Sequence, residues 1–232
     1  MKQDVKRKIF ITGGGGFKSF SKFIMGLTKK ENPKVCYVPT ATGDSVNTIS
    51  NWYASCEDLP VKPFVLKTFI GSYDTKKTFE ETIMGMDIIF VGGGNTLNMI
   101  AIWKAQGIDL ALRKAYESGI VMSGGSAGSL CWFQSGTTDS RPIKLSKVDC
   151  LGWIKGSHCP HYDAEVQRRP LYQDLIKKGE LPPGYACDNN AGIYFENEQF
   201  VKSVALNKES KSYYVDVVEG QVSEKALPTE LL

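Results

Sequence analysis

Ile120-Val121-Met122-Ser123-Gly124-Gly125-Ser126-Ala127-Gly128-Ser129-Leu130 passes abruptly from an apolar run into glycines and small residues. Its middle, Gly124-Gly125-Ser126-Ala127-Gly128, fits G-x-S-x-G. A strand, a sharp turn and a helix start would lift the Ser126 hydroxyl above a sheet edge. Glycines serve such a turn because a Cβ would strike the neighbouring strand or helix. The Ala127 amide would then face a carbonyl under attack by Ser126. The plain alternative is a glycine-rich helix entry in which Ser126 is an ordinary N-cap.

Upstream of this turn the chain alternates between apolar runs and helical spacing. Lys8–Thr12 reads as a buried strand, Gly13-Gly14-Gly15-Gly16 follows, and Phe17, Phe20, Phe23, Ile24 and Leu27 mark a helix over 17–30. G-x-G-x-x-G needs a third glycine where Lys18 or Ser19 stands, and there is no G-K-[ST] signature. A tight crossover turn is therefore expected here, not a dinucleotide site. Val35–Pro39 gives a second strand, and Asp44 or Ser45 caps a helix to about Glu57. Lys62–Lys67 gives a third strand, Thr75–Met84 a helix, and Asp87–Val91 a fourth strand. Gly107 interrupts the next helical pattern, Asp109 restarts it, and Gly119 closes it before the Ser126 strand. This order argues an α/β three-layer sandwich, a mostly parallel sheet with helices on both faces, and one domain over residues 1–232.

The fourth strand runs into Gly92-Gly93-Gly94-Asn95-Thr96. Ligands of parallel α/β sheets sit beyond the carboxyl ends of strands, where both glycine turns would lie. One amide from each turn would make an oxyanion hole for Ser126. An acyl-transfer serine also needs a base, and the chain holds only two histidines, His158 and His161. His161 follows Pro160, whose fixed backbone aims it, so His158 is expected to be dispensable. Asp163–Lys178 reads as a helix that Pro170 kinks or delays. The last third is strand-rich: Tyr185–Phe195 as strands broken by a polar turn, then Phe200–Ala205 and Ser212–Val218, with a frayed end over Ala226–Leu232. Within that polar turn, Asp188-Asn189 is a candidate to orient the base, and equally an ordinary turn pair.

Composition narrows the function classes. The net charge of +3 is modest and the lysines are scattered among acids, so no nucleic-acid partner is expected. No apolar run reaches the roughly 18 residues of a membrane span, so no membrane partner is expected either. The basic start, Met1 to Lys8, lacks the apolar core of a secretory signal, and a cytoplasmic location is expected. Six cysteines without a C-x-x-C read as buried or partly buried thiols. Cys150, His158, Cys159, His161 and Cys187 are candidate zinc ligands by residue type, but their spacing matches no paired pattern, so neither metal nor cofactor is expected. Cys131 lies a turn or so into the helix after the elbow, better placed for packing than for attack, which leaves Ser126 as the nucleophile.

Gly92-Gly93-Gly94-Asn95-Thr96, Gly125-Ser126-Ala127-Gly128 and Pro160-His161, in this order and spacing, resemble the peptidase E (aspartyl dipeptidase) family, relatives of cyanophycinase with a class I glutamine amidotransferase-like fold. The resemblance spans about Lys8 to Val218. It implies a serine peptidase with Ser126 as nucleophile, His161 as base, and an oxyanion hole from Gly94 and Ala127. Where the family places a glutamate as third triad member, this chain has Asp188-Asn189. The arginine that reads an acidic substrate side chain in aspartyl dipeptidases falls on or near Gln167, with Arg168 and Arg169 following. Asn95, Gln167 and Arg168 are thereby implied as substrate-binding residues. The expected activity is hydrolysis of short peptides by a monomer or homodimer. The alternatives are an esterase or amidase, or a catalytically weak member that binds small molecules.

Overall fold

Side chains that point alternately to opposite faces let each strand of a sheet feed two cores at once, one on each face. The computed structural model, which describes residues 5–74 and 76–232, is built on this rule. Its first half runs β1 (Lys8–Thr12), α1 (Phe17–Gly26), β2 (Lys34–Val38), α2 (Val46–Cys56), β3 (Lys62–Val65), α3 (Phe79–Met84) and β4 (Ile88–Val91). Then come α4 (Thr96–Gln106), α5 (Ile108–Glu117), β5 (Val121–Gly125) and the short α6 (Ala127–Leu130). Met1 to Asp4 of the basic start, and Thr75, the first residue of the helix expected from Thr75, lie outside the described residues.

Parallel pairing places β1, β5, β4, β2 and β3 side by side in that order. Phe10, Val35, Tyr37, Ile88, Phe90 and Val121 pack on one face against Phe17, Phe20 and Ile24 of α1 and Trp52 of α2. Their strand neighbours Ile9, Ile11, Cys36, Val38, Ile89, Val91 and Met122 face the other way, onto α3, α4 and α5 through Ile83, Met99, Trp103, Leu112 and Tyr116. This is the three-layer α/β arrangement that the alternation implies. Gly107 ends α4 in a left-handed conformation (φ 70°), which stops one helix and admits the next without a loop.

The second half is organised differently from expectation. It contains β6 (Phe133–Thr138), β7 (Ser146–Asp149), β8 (Ile154–Cys159), α7 (Arg168–Lys177), β9 (Gly184–Cys187), β10 (Ala191–Glu196), β11 (Gln199–Ala205), β12 (Ser212–Val218), β13 (Gln221–Ala226) and β14 (Thr229–Leu231). β10 joins the first sheet antiparallel to β1, and β11 and β14 extend it. The other strands form a separate mixed sheet, ordered β13-β12-β9-β8-β6-β7. The chain thus changes sheet at Asp188–Asn190, so the polar break in Tyr185–Phe195 separates strands of different sheets. The C-terminal stretch expected to fray is instead tied down, since β14 pairs with β11 through Ser203–Ala205. α7 starts late, at Arg168, so Pro170 falls in the first turn, where its missing N–H breaks no helical bond. α6 has only four residues, and Cys131 is its C-cap, not a residue inside a longer helix. Among the described residues no helix is long and apolar enough to cross a membrane.

The contact between α6 and β4 is the tightest packing near the Ser126 turn. A Cβ on Gly128 would collide with the Val91 carbonyl and lie 2.9 Å from the Val91 Cβ. Gly128→Ala is therefore expected to lower stability by about 3 kcal/mol, the upper range for overpacking. Thermal denaturation should read this as a midpoint roughly 10 °C lower for a chain of this size. An unchanged midpoint would mean that the α6–β4 approach is looser than described.

Candidate active site

Ser126 follows β5, at the N-cap of α6, with φ 57° and ψ −120°, a combination L-residues rarely adopt. Holding it costs on the order of 1–3 kcal/mol, which the surroundings must offset. Its N–H donates to the Thr12 carbonyl at 3.3 Å. Its carbonyl accepts from the amides of Ser129 and Leu130, both at 3.0 Å, and from the Ser129 hydroxyl at 2.7 Å. The turn is thus fixed on both sides of the residue, and the side chain is left free to project.

It projects at His161. The Ser126 Oγ lies 2.8 Å from His161 Nε2, and His161 Nδ1 lies 2.8 Å from Asn189 Oδ1. A carbonyl oxygen can only accept, so Nδ1 donates to Asn189 and the neutral ring presents Nε2 as acceptor for the serine proton. His161 itself has φ 54° and anchors its N–H on the Gly13 carbonyl at 3.2 Å. The Asn189 amide donates to Asp163 Oδ1 at 2.7 Å, which fixes the turn that carries the Asn189 side chain. A Cβ on Gly14 would overlap Asn189 Oδ1 and lie 3.1 Å from His161 Nδ1. The glycine run after β1 therefore makes room for the His161–Asn189 pair.

The choice between Asp188 and Asn189 is decided by direction. Asp188 is buried, and its Oδ2 accepts from the Lys211 amide at 2.9 Å and the Tyr213 hydroxyl at 3.4 Å. Burial pushes its carboxyl above the usual carboxylate range. Asp188 fastens the turn to β12, and Asn189 is the partner of the imidazole.

The glycine loop after β4 lies beside the serine: a Cβ on Gly93 would sit 3.1 Å from Ser126 Cβ and 3.5 Å from its Oγ. The amides of Gly94 and Ala127 make no backbone hydrogen bond among the described residues. Asn95 was expected at the substrate. Its Oδ1 instead accepts from the Asn98 amide at 2.9 Å as the N-cap of α4, and its Nδ2 donates to the Ser140 carbonyl at 3.0 Å. Gln167 is exposed at the entry to α7 and makes no capping bond. Arg168, also expected to face substrate, is turned inward and only 2% exposed. Its guanidinium donates to Glu165 at 2.7 and 3.2 Å and to the Thr137 carbonyl at 3.1 Å, with Asp139 at 3.7 Å. A buried guanidinium needs such partners, and here they consume its charge inside the protein.

Burial pushes the thiols of Cys159 and Cys187 up to about 12, and that of Cys131 well above its ordinary value, so none is a ready nucleophile. Among the described residues, no three His, Cys, Asp or Glu side chains gather as a metal site. Sequence reasoning missed Gly14, Asp163 and Ser129. Asp163 had a local signal, standing two positions after His161, but Gly14 and Ser129 act through contacts that no spacing announces.

His158 is fully buried and its imidazole is pushed down to about 3, chiefly by desolvation. The unfolded chain takes a proton there near its ordinary 6.5, whereas the folded chain refuses it down to about 3. Stability from this group is complete above pH 6.5 and is lost as pH falls through that window, by up to about 1.4 kcal/mol per pH unit. Denaturant melts between pH 7 and 4 should show this slope, and His158→Gln should flatten it. An equal slope in the variant would assign the acid sensitivity to other groups.

The model of Peptidase family S51 matches residues 9–203. Uncharacterized peptidase YgaJ of Bacillus subtilis (strain 168) is 40% identical over 232 residues, covering 97% of this chain and 99% of its own. A peptidase from an acI-B1 Actinobacterium has the same fold, with a TM-score of 0.72 at 16% identity, over 96% of this chain and 98% of its own. So has a candidate peptidase E of Listeria monocytogenes EGD-e, with a TM-score of 0.66 at 18% identity, over 88% of this chain and all of its own. A match along this length, joined to a half-buried serine at a strand-to-helix turn, establishes that the chain belongs to peptidase family S51 and is a peptidase.

Proposed function

We propose that the chain hydrolyses short peptides with a Ser126–His161–Asn189 triad. The observation that carries this reading is the pair of 2.8 Å contacts on the two nitrogens of one imidazole, Ser126 Oγ on Nε2 and Asn189 Oδ1 on Nδ1. Ser126 Oγ attacks the peptide carbonyl carbon while His161 Nε2 takes the hydroxyl proton. The carbonyl oxygen becomes an oxyanion, and the Gly94 and Ala127 amides donate to it. His161 returns the proton to the leaving amine, the C–N bond breaks, and an acyl-Ser126 remains. Water then attacks the acyl group, His161 again accepting the proton, and the acid is released. Gln167 is the exposed residue left for contact with substrate beyond the scissile bond. Arg168 is already paired with Glu165, so no special preference for an N-terminal aspartate is part of this proposal.

A fluorophosphonate probe tests the nucleophile. It should label wild-type protein at Ser126, located by peptide mapping, and leave Ser126→Ala unlabelled. The same variant should lose peptide hydrolysis on the order of a million-fold, as for a triad serine, while keeping its fold. Label on another residue, or turnover by pure Ser126→Ala, would remove Ser126 from the role.

Asn189 offers a neutral oxygen where a carboxylate would stabilise the imidazolium formed during attack. A hydrogen bond to a charged partner contributes about 1 kcal/mol more than one between neutral groups. Asn189→Asp should therefore raise kcat by about fivefold, and Asn189→Ala should lower it. Asp188→Ala should chiefly lower stability. Loss of turnover in a folded Asp188→Ala, with Asn189→Ala still active, would reverse the assignment.

A further inference from the structure

His158 has no part in the reaction as drawn, yet it is completely buried just behind it. It lies on β8, three residues before His161, opposite Gly136 of β6 and Tyr185 of β9. Its ring stacks on Phe133 with centroids 4.8 Å apart and planes at 16°. Its Nδ1 is 3.1 Å from the Tyr185 carbonyl, and its Nε2 is 3.0 Å from the Ser129 hydroxyl. The carbonyl can only accept, so the ring proton is on Nδ1 and Nε2 is an acceptor. The Ser129 hydroxyl also lies 2.7 Å from the Ser126 carbonyl. The one Ser129 hydroxyl proton is thus shared between two acceptors, Ser126 O and His158 Nε2, in a three-centre donation.

This arrangement joins the second sheet to the strained turn of the first. α6, with four residues, is too short to hold its own shape. The Ser126 carbonyl is held from within by the Ser129 and Leu130 amides, and His158, fixed in two strand pairings, adds a hold on the Ser129 side chain from outside α6. We propose that His158, acting through Ser129, is a positioning residue that sets the backbone of Ser126 and hence the aim of its Oγ. On this proposal His158 is not dispensable, contrary to the expectation from sequence. β8 then carries both functions, with the anchor within the strand and the base just beyond its end.

The inference rests on Ser126 being the nucleophile, and the test keeps the two apart. Ser129→Ala removes one oxygen and leaves the fold in place. It should slow fluorophosphonate labelling of Ser126 and lower kcat by about tenfold or more, with KM unchanged, the pattern of a misaimed nucleophile. Two replacements at His158 separate positioning from bulk. His158→Asn keeps a donor for the Tyr185 carbonyl but withdraws the acceptor from Ser129. His158→Gln reaches further and returns a carbonyl oxygen to Ser129. Positioning through Ser129 predicts faster labelling in the Gln variant than in the Asn variant, whatever their melting temperatures. Wild-type labelling rates in Ser129→Ala, or an Asn variant that equals or exceeds the Gln variant, would overturn the inference while leaving Ser126 as nucleophile. A wild-type protein that takes no label at Ser126 would overturn both.

Discussion

The backbone of Ser126, held at φ 57° and ψ −120°, is the constraint on which the site depends. Left alone, such a turn relaxes, and a serine that relaxes drops back toward the sheet. The neighbours prevent this at close range. Thr12 O holds the amide, Ser129 and Leu130 hold the carbonyl, and Gly128 lets α6 lie against Val91 with no side chain between. The stress is local and the support comes from β1, β4 and α6 together. That is why apolar β4 and β5, buried throughout, sit beside β1 in the middle of the sheet.

The second constraint is the meeting of two sheets. Ser126 and the glycine loops belong to the ends of β1, β4 and β5, whereas His161 follows β8 in the other sheet. Asn189 stands on the short turn by which the chain passes from β9 to β10, from one sheet to the other. Alignment of the imidazole therefore depends on how the sheets are joined. The joint is tight: His161 N–H donates to Gly13 O, Tyr162 N–H donates to Cys187 O, and Gly14 yields its side-chain space to Asn189. Relative movement of the sheets would break both hydrogen bonds of His161 together.

The charged and titratable groups around the imidazole are neutralised, paired or hydrogen-bonded. His158 is neutral through burial, and Arg168 is matched by Glu165 and Asp139. The residue hydrogen-bonded to His161 Nδ1 is an amide, not a carboxylate. The imidazole's direct partner is thus a dipole, and the carboxylate nearby in sequence, Asp163, is bonded to the Asn189 backbone amide.

Much of this was legible in the residues. The parallel half of the fold followed from apolar runs alternating with helical spacing, because period and burial are local properties of sequence. The turn at Ser126 was legible for the same reason, since only small residues satisfy G-x-S-x-G packing. The second sheet was not. β6, Phe133-Gln134-Ser135-Gly136-Thr137-Thr138, is polar and contains glycine, and it is a strand because partners on both sides complete its hydrogen bonds. Nor could sequence choose between Asp188 and Asn189, neighbours on one turn whose side chains leave in different directions. His161 meets Ser126 across 35 residues and Asn189 across 28, distances at which pairing is set by how sheets pack. The sequence by itself determined which residue types were present for the chemistry and where the chain would turn sharply. Only the tertiary structure decided that Asn189 faces the imidazole, that Arg168 turns inward, and that His158 meets Ser129 behind the Ser126 turn, because each follows from contacts between segments whose spacing carries no signal.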